Sequence, residues 1–198
     1  MMHETAKLKD LCEVKTGVPT GRAKKLSEGE QGRQVNILLP KAMSEGAIID
    51  EELGSEVIGA VKDDYFTREG DVVIKLSTPY DSVYIDKEHE GLLITSFAML
   101  LRKKDNVELN MRYLSMFLNA EHTNEILQST IASQSVVKLL RKHDVEDLEI
   151  ALLPLQQQKL LADLFEAITE RRQNYERLIE LDRELLSSQL MQAIWGDE

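Results

Sequence analysis

The chain has little cysteine and no long hydrophobic run, and both absences narrow its class. Cys12 is the only cysteine among 198 residues, so an internal disulfide and a paired-cysteine metal site are excluded. No apolar run approaches the ~20 residues needed to cross a bilayer. Met1–Leu11 is polar and mixed in charge, unlike a signal peptide. These features predict a protein of a reducing compartment, the cytoplasm.

The sequence also lacks the motifs of common enzymes. It contains no P-loop, no GxGxxG turn after a strand and no HExxH pair. Its four histidines are scattered without metal-ligand spacing: His3, His89, His122 and His143. Ser77-Thr78-Pro79-Tyr80 resembles the element with which amino-methyltransferases hold a target base, but no glycine-rich turn is present to bind a methyl donor. We therefore predict a protein with no catalytic residues, no cofactor and no metal.

Acidic residues outnumber basic ones, but the two kinds are unevenly distributed along the chain. The formal net charge of −11 argues against indiscriminate binding to nucleic acid. Residues 1–41 nevertheless hold eight basic and five acidic side chains, a net charge of +3, whereas residues 42–75 have a net charge of −6. The first segment is therefore either a local basic surface or an ordinary mixed, solvated one.

Short apolar segments separated by turns predict a sheet in the first half of the chain. Asp71–Leu76 is the strongest strand pattern, and Ser82–Ile85 and Leu92–Leu101 are its expected partners. Further strands are expected at Val35–Pro40 and Val57–Val61, with loops or turns at Thr16–Gly21 and 45–56. This spacing predicts one twisted, mostly antiparallel sheet.

Helical patterns follow the sheet. Asn110 is a predicted N-cap for a helix through Asn119, and Thr123–Ile131 predicts a second helix. Asp147–Leu153 predicts a closing strand that leads to Pro154, which suits a first helical turn because no N–H donor is needed there. We place the domain boundary here, with a globular domain over 1–153 and a helix over 154–198.

The stretch from Pro154 to Ile194 predicts one very long helix. It contains no glycine and no second proline. Its apolar residues fill two heptad positions over four heptads, interrupted by Arg171 and Asp182: Leu161, Ile168 and Tyr175 at one position, Leu164, Leu178 and Leu185 at the other. At 1.5 Å per residue the helix would be about 60 Å long, too long to bury its stripe on a small domain. The prediction is an α+β protein whose C-terminal helix needs another helix as a partner, in an intermolecular or a long antiparallel pairing.

Four short motifs follow one another in an order that one protein family shares. They are Leu8–Val14 with Gly17 and Pro19, then Arg112-Tyr113-Leu114-Ser115-Met116-Phe117-Leu118-Asn119, then Leu139–Leu148, and finally Leu153-Pro154-Leu155-Gln156-Gln157-Gln158-Lys159. Together they resemble the specificity subunits of type I restriction–modification systems. Gln157 stands where the family usually has glutamate, and Thr169 where aspartate is often found. The chain also has one target-recognition domain and one helix where full subunits have two of each, so it resembles a half-subunit. Its Met1-Met2 start and Gly196-Asp197-Glu198 ending favour a natural short chain.

The resemblance implies a non-catalytic protein. It implies sequence-specific recognition of one half of a split site in double-stranded DNA, with methyltransferase and restriction subunits as partners. The helix would act as a spacer, and we expect a homodimer in which the two helices pair as an antiparallel coiled coil. The alternative is an interaction or anti-restriction scaffold that binds methyltransferase subunits without specific DNA binding.

Loop residues with cationic or hydrogen-bonding side chains are the expected DNA contacts. Arginine and lysine suit guanine and phosphate, and Gln134 suits adenine. The predicted set is Thr20, Arg22, Lys24, Lys25, Arg33, Ser77, Thr78, Tyr80, Ser133, Gln134, Ser135, Lys138, Arg141 and Lys142. A serine or threonine in a loop equally suits hydrogen bonding to nearby backbone.

Overall fold

The centre of the molecule is a four-stranded antiparallel sheet with a core on each face. The computed structural model describes residues 4–23, 32–132 and 139–196. The strand order is β2 (Cys12–Thr16), β10 (Ala98–Lys103), β7 (Val72–Lys75) and β8 (Ser82–Tyr84). Along β7, Val72 and Ile74 face one core while Val73 faces the other, because side chains alternate across a strand. Burial on both faces explains why Asp71–Leu76 is almost continuously apolar.

A second sheet of three strands packs beside the first. Its order is β6 (Gly54–Ile58), β3 (Arg33–Leu38) and β9 (Leu93–Ile94), with β3 antiparallel to β6 and parallel to β9. The predicted α+β fold with mostly antiparallel pairing is confirmed, and the strands divide among more than one sheet. The prediction of one strand over Leu92–Leu101 was wrong. That run bends at Thr95–Phe97, so β9 and β10 belong to different sheets. Periodicity cannot reveal this bend, since both parts are apolar.

Short elements complete the sheet region. They are β1 (Thr5–Lys7), α1 (Leu8–Leu11), α2 (Thr20–Ala23), and the hairpin of β4 (Met43–Ser44) and β5 (Ala47–Ile48). The acidic stretch 45–56, predicted as turn or exposed surface, instead holds β5, a 3-10 helix at Asp50–Glu52 and the start of β6. β6 also begins and ends earlier than the strand predicted at Val57–Val61.

Three helices follow, of which the first two were predicted and the third was not. They are α3 (Met111–Asn119), α4 (Glu121–Ala132) and α5 (Lys142–Glu146). The prediction of Asn110 as N-cap is confirmed, since its side chain accepts hydrogen bonds from the backbone N–H groups of Arg112 and Tyr113. α3 packs Leu114 and Leu118 against the face of the sheet that carries Val72 and Ile74. The closing strand β11 (Glu149–Ala151) pairs with β1 and so joins the two ends of the globular part.

The chain ends in α6 (Leu155–Trp195), which confirms the predicted long helix. It begins directly after Pro154 and extends about 60 Å. Among the described residues, no helix combines the length and the apolar character needed to cross a membrane.

Candidate DNA interface and helix junction

Several connections meet at one end of the four-stranded sheet. The Gly17 N–H donates to the Ala98 carbonyl oxygen at 3.0 Å, and the Leu76 N–H donates to the Phe97 carbonyl oxygen at 3.0 Å. The Leu140 N–H in turn donates to the Leu76 carbonyl oxygen at 2.8 Å. These backbone bonds hold together a surface that we call the loop end, formed by Gly17–Pro19, Leu76–Pro79, Thr95–Phe97 and Leu139–Leu140.

The β7–β8 hairpin supplies the tip of the loop end. Ser77 and Thr78 are exposed there, as a DNA-contacting role requires. Tyr80 is only 1% exposed and lies in the hydrophobic core, so its place in the predicted contact set is corrected. The Tyr80 ring packs into the core behind the hairpin tip and is not part of the exposed tip. Below it, the Lys75 ammonium pairs with the Asp81 carboxylate at 2.6 Å, and this buried pair carries no net charge.

Phe97 is an exposed aromatic residue that the sequence did not single out. Its side chain is 59% exposed in the β9–β10 turn. Its carbonyl oxygen accepts a hydrogen bond from the Leu76 N–H, which connects this turn to the hairpin tip. An aromatic residue within an apolar run is ordinarily buried, so the run itself gives no sign of this exposure. The only local signal was the polar pair Thr95-Ser96, which interrupts that run. An exposed apolar side chain among hydroxyl groups can contact a thymine methyl group.

The other described candidates are more scattered. Arg141 and Lys142 are exposed and follow Leu140 directly, which places them beside the loop end. The Lys142 ammonium lies 3.3 Å from the Glu146 carboxylate. Arg33 is exposed at the start of β3, in the second sheet, where its guanidinium carbon lies 4.9 Å from the centre of the Phe66 ring. The structure therefore does not join Arg33 to the loop end through any described contact.

The remaining candidates lie outside the described residues. These are Lys24, Lys25, Ser133, Gln134, Ser135 and Lys138, together with the side chains of Thr20 and Arg22. Their described neighbours are Ala23, whose N–H donates to the Pro19 carbonyl oxygen at 3.0 Å, and Leu139. Both neighbours adjoin the loop end.

A second feature is the junction between α6 and the globular part. Gln158 is fully buried at the start of α6 and makes three hydrogen bonds. Its side-chain oxygen accepts from the Asn110 N–H at 2.8 Å, and its amide nitrogen donates to the carbonyl oxygens of Leu153 at 2.7 Å and Glu108 at 3.4 Å. One side chain thus ties α6 to the start of α3.

The β4–β5 turn holds α6 two turns further along. Gly46 has φ of +91°, and a Cβ atom there would lie 2.6 Å from a ring carbon of Phe165. Arg172 donates to the carbonyl oxygens of Ser44 at 3.3 Å and Glu45 at 3.4 Å, and it also pairs with the Glu45 carboxylate. Five of the side chains by which α6 contacts the globular part form what we call the docking face: Gln158, Ala162, Phe165, Thr169 and Arg172.

His89 secures the region that carries this turn. Its ring nitrogens lie 2.7 Å from an Asp86 carboxylate oxygen and 3.0 Å from an Asp50 carboxylate oxygen. Burial of the ring disfavours its charge, but the hydrogen bonds to Asp50 and Asp86 prevail and raise the pKa of His89. No group of histidine, cysteine or carboxylate side chains within 4–23, 32–132 and 139–196 is arranged to hold a metal ion.

The predicted coiled-coil stripe lies apart from the docking face. Ile168, Tyr175, Leu178 and Leu185 are 53–61% exposed, as is Leu164, while Leu161 is half-buried against the core. From Asn174 to Trp195 every described side chain of α6 is exposed. The stripe is therefore available to another helix, and its pairing stays a prediction.

Comparison with known proteins identifies the family. Residues 3–183 match the family model Methylase_S, the type I restriction modification DNA specificity domain. No curated protein matches the chain significantly.

Solved structures share the fold at low sequence identity. The S subunit of a type I restriction-modification system from M. genitalium has a TM-score of 0.59 and 14% identity, covering 98% of this chain and 46% of that chain. The HsdS subunit from Thermoanaerobacter tengcongensis has a TM-score of 0.56 and 19% identity, covering 98% and 45%. A chain from a study of complex assembly and conformational transition of the type I R-M system has a TM-score of 0.59 and 19% identity, covering 96% and 44%. This chain spans less than half the length of each. Because the family model covers most of its sequence, the protein belongs to the type I restriction modification DNA specificity domain family.

Proposed function

We propose that this protein is the specificity component of a type I restriction–modification complex in the cytoplasm. It would read one half of a split DNA site and direct methyltransferase and restriction subunits, performing no reaction itself. The observation that carries the proposal is the family match over residues 3–183, supported by a fold shared with S subunits along 96–98% of the chain.

The loop end is the proposed DNA-reading surface. Ser77 and Thr78 offer hydroxyl groups to base edges, Phe97 offers an apolar contact, and Arg141 and Lys142 offer cations to phosphates. The segments that contain Arg22, Lys24, Lys25 and 133–138 adjoin it along the chain and complete the proposed surface. Arg33 stays in the proposed set as a peripheral phosphate contact.

A homodimer is the proposed assembly. The solved S subunits are more than twice as long as this chain, so two copies supply a comparable length. The exposed stripe of α6 supplies the surface for an antiparallel pair. A two-fold symmetric dimer would read a palindromic split site. Light scattering at micromolar concentration tests this, and a monomer with α6 intact contradicts it.

DNA binding by the complex with its methyltransferase subunit tests the reading role. Arg22→Ala, Lys25→Ala and the Ser77→Ala/Thr78→Ala pair are each expected to weaken specific binding without changing the dimer. A lost phosphate contact lowers the slope of log affinity against log salt by about 1, whereas a lost base contact relaxes specificity at one position.

Lys87→Ala is the matched control for these variants. Lys87 is an exposed cation in the turn after β8, at the opposite end of the sheet from the hairpin tip. It should bind DNA as the parent does. Parental binding by all three loop-end variants would contradict the placement of the DNA surface.

The net charge of −11 favours a second candidate. An anti-restriction scaffold would bind the methyltransferase subunit, and an acidic surface would disfavour DNA. Capture of the methyltransferase subunit is expected from both candidates. Sequence-specific, salt-sensitive DNA binding by the captured complex selects the specificity role, and its absence selects the scaffold.

A further inference from the structure

Two charged residues interrupt the exposed apolar stripe of α6. Arg171 occupies the same heptad position as Leu164, and Asp182 the same as Tyr175. The neighbouring stripe positions on both sides are apolar: Ile168 and Tyr175 around Arg171, Leu178 and Leu185 around Asp182. Both side chains are exposed. Neither forms an ion pair with any residue in the part of the chain that the structure describes. Both charges are therefore available to a partner outside the single chain.

Parallel pairing of two copies gives these charges the wrong neighbours. An in-register parallel pair places Arg171 against Arg171 and Asp182 against Asp182, both within an apolar interface. Like charges facing each other in an interface are strongly unfavourable. The sequence of the stripe therefore disfavours the parallel dimer.

Antiparallel pairing gives each charge its opposite. In this register Arg171 of one copy faces Asp182 of the second. The apolar stripe residues then face each other as well: Ile168 faces Leu185, and Tyr175 faces Leu178. Two-fold symmetry makes each contact twice, so two ion pairs flank a central apolar layer. Moving either copy by one heptad instead places Arg171 against Gln189 or Tyr175, and Asp182 against Leu178 or Leu164. Those registers bury charges without counter-charges, which costs several kcal/mol per charge in protein interiors.

We propose that reciprocal Arg171–Asp182 ion pairs between two copies set the direction and register of the α6 dimer. This inference rests on the homodimer of the proposed function. It requires no undocking, because the docking face residues Gln158, Ala162, Phe165, Thr169 and Arg172 are not stripe positions. Leu161 is the stripe position that packs against the core, and it lies outside the layers from Ile168 to Leu185 that the register argument uses.

The register determines how far apart the two globular parts lie. In the proposed register the symmetry axis passes between residues 176 and 177, so the two α6 start points are about 65 Å apart along the helix direction. Sliding by one heptad changes this distance by about 10 Å. At 3.4 Å per base pair that is about three base pairs of DNA. The ion pairs would thus select the spacer length of the split site.

Charge exchange in separate copies tests the pairing. Arg171→Glu alone and Asp182→Lys alone each create two like-charged contacts, and each is expected to raise the dimer dissociation constant at least about tenfold. An equimolar mixture of the two variants restores both ion pairs and should form a heterodimer with the wild-type affinity. Arg177→Glu is the control, because it makes the same charge change as Arg171→Glu off the stripe and should leave the affinity unchanged.

Disulfide trapping tests the direction. Ile168→Cys and Leu185→Cys, made in separate copies, should cross-link when mixed and not when alone, because the two positions are about 25 Å apart along one helix. The native Cys12 will not interfere, since it is 2% exposed and burial raises its pKa to about 12.

The outcomes separate this inference from the dimer on which it rests. A wild-type monomer overturns both. A wild-type dimer that Arg171→Glu does not weaken, a mixture that fails to recover, or self-cross-linking of Ile168→Cys overturns the register and leaves the dimer standing.

Discussion

The two halves of α6 differ in an unexpected way: the half that packs on the globular part does so mainly through polar or small side chains, and the half that is exposed carries large apolar ones. The proximal half docks on the globular part through Gln158, Ala162, Thr169 and Arg172, which are polar or small, and through two large apolar side chains, Leu161 and Phe165. The distal half exposes leucines, isoleucines and Trp195, which is 71% exposed. A contiguous apolar surface of this kind marks an interaction site.

The two halves of α6 therefore differ in what they contact. Directional hydrogen bonds from Gln158 and Arg172 fix the angle of α6 on its own domain. The exposed apolar side chains of the distal half are available to the second copy of the proposed dimer, in which Arg171 and Asp182 would select the register. The junction thus sets the orientation of α6 on the globular part, whereas the exposed half would supply the affinity between the two copies of the proposed dimer. Four predictions test this division, beginning with the largest effect.

Leu178→Ala should act on the dimer alone. One leucine-to-alanine change in a core costs about 2–5 kcal/mol, and a dimer holds two such sites, so we expect a loss of about 4 kcal/mol or more per dimer. Leu178 is 53% exposed in the single chain, so unfolding of the globular part at dilute, monomeric concentration should not change. Sedimentation equilibrium and urea unfolding measure the two quantities. Arg177→Ala is the control off the stripe, and an equal effect of both substitutions would contradict the division.

Gln158→Leu should act on the junction. It leaves the Asn110 N–H and the Leu153 carbonyl oxygen buried without their partner, so the free energy of unfolding should fall by about 3 kcal/mol. Urea unfolding measures the loss. Gln157→Leu, at the exposed neighbouring position, should change stability by no more than about 0.5 kcal/mol. Comparable losses at both positions would show that the buried hydrogen bonds are not the cause.

Gly46→Ala should disturb the β4–β5 turn where it holds α6. Gly70→Ala is a closely matched control, because φ is +91° at Gly46 and +90° at Gly70, but only at Gly46 would the new Cβ atom meet the Phe165 ring. Backbone strain is therefore common to both variants. Overpacking against Phe165 should make Gly46→Ala less stable than Gly70→Ala by about 1–2 kcal/mol. Equal stabilities of the two variants by thermal unfolding would mean that the ring moves aside at no cost.

His89→Gln should have the smallest and a pH-dependent effect. The folded-state pKa of His89 is raised above its ordinary value of 6.5, so the protonated ring stabilises the fold fully below pH 6.5, and this contribution is lost as pH rises through the folded pKa. The stability difference from wild type should therefore be larger at pH 6 than at pH 9, and below about 1 kcal/mol for a partly solvated pair. Urea midpoints across this range measure it. His122→Gln, at an exposed position, is the control, and a difference that grows with pH would reverse the assignment.

Local signals in the sequence were sufficient for much of the fold. The N-cap at Asn110 and the start of α6 after Pro154 depend on neighbouring residues, so they can be read without tertiary information. The same holds for β7, whose apolar run reports burial on both faces. Ordered short motifs then indicated the family that the match over residues 3–183 established.

The sequence was less informative about the candidate DNA surface. Ser77 and Thr78 were placed on a surface loop, but Tyr80, two residues on, turned out to be buried. A polar turn predicts that the chain reverses; it does not say which of its side chains returns to the core. Phe97 was missed for the converse reason, since an aromatic residue in an apolar run is ordinarily buried.

The sequence by itself determined that α6 is long, where it begins, and that it carries an apolar stripe broken by two charges, because helical propensity and heptad spacing are local properties. Only the tertiary structure decided which side of α6 is already used. Gln158, Phe165 and Arg172 meet partners more than 40 residues away in the chain, and such contacts exist only once the sheet, α3 and the β4–β5 turn have been brought together. Because the docking face and the stripe are separate, most of the stripe stays exposed and available to the second copy of the proposed dimer.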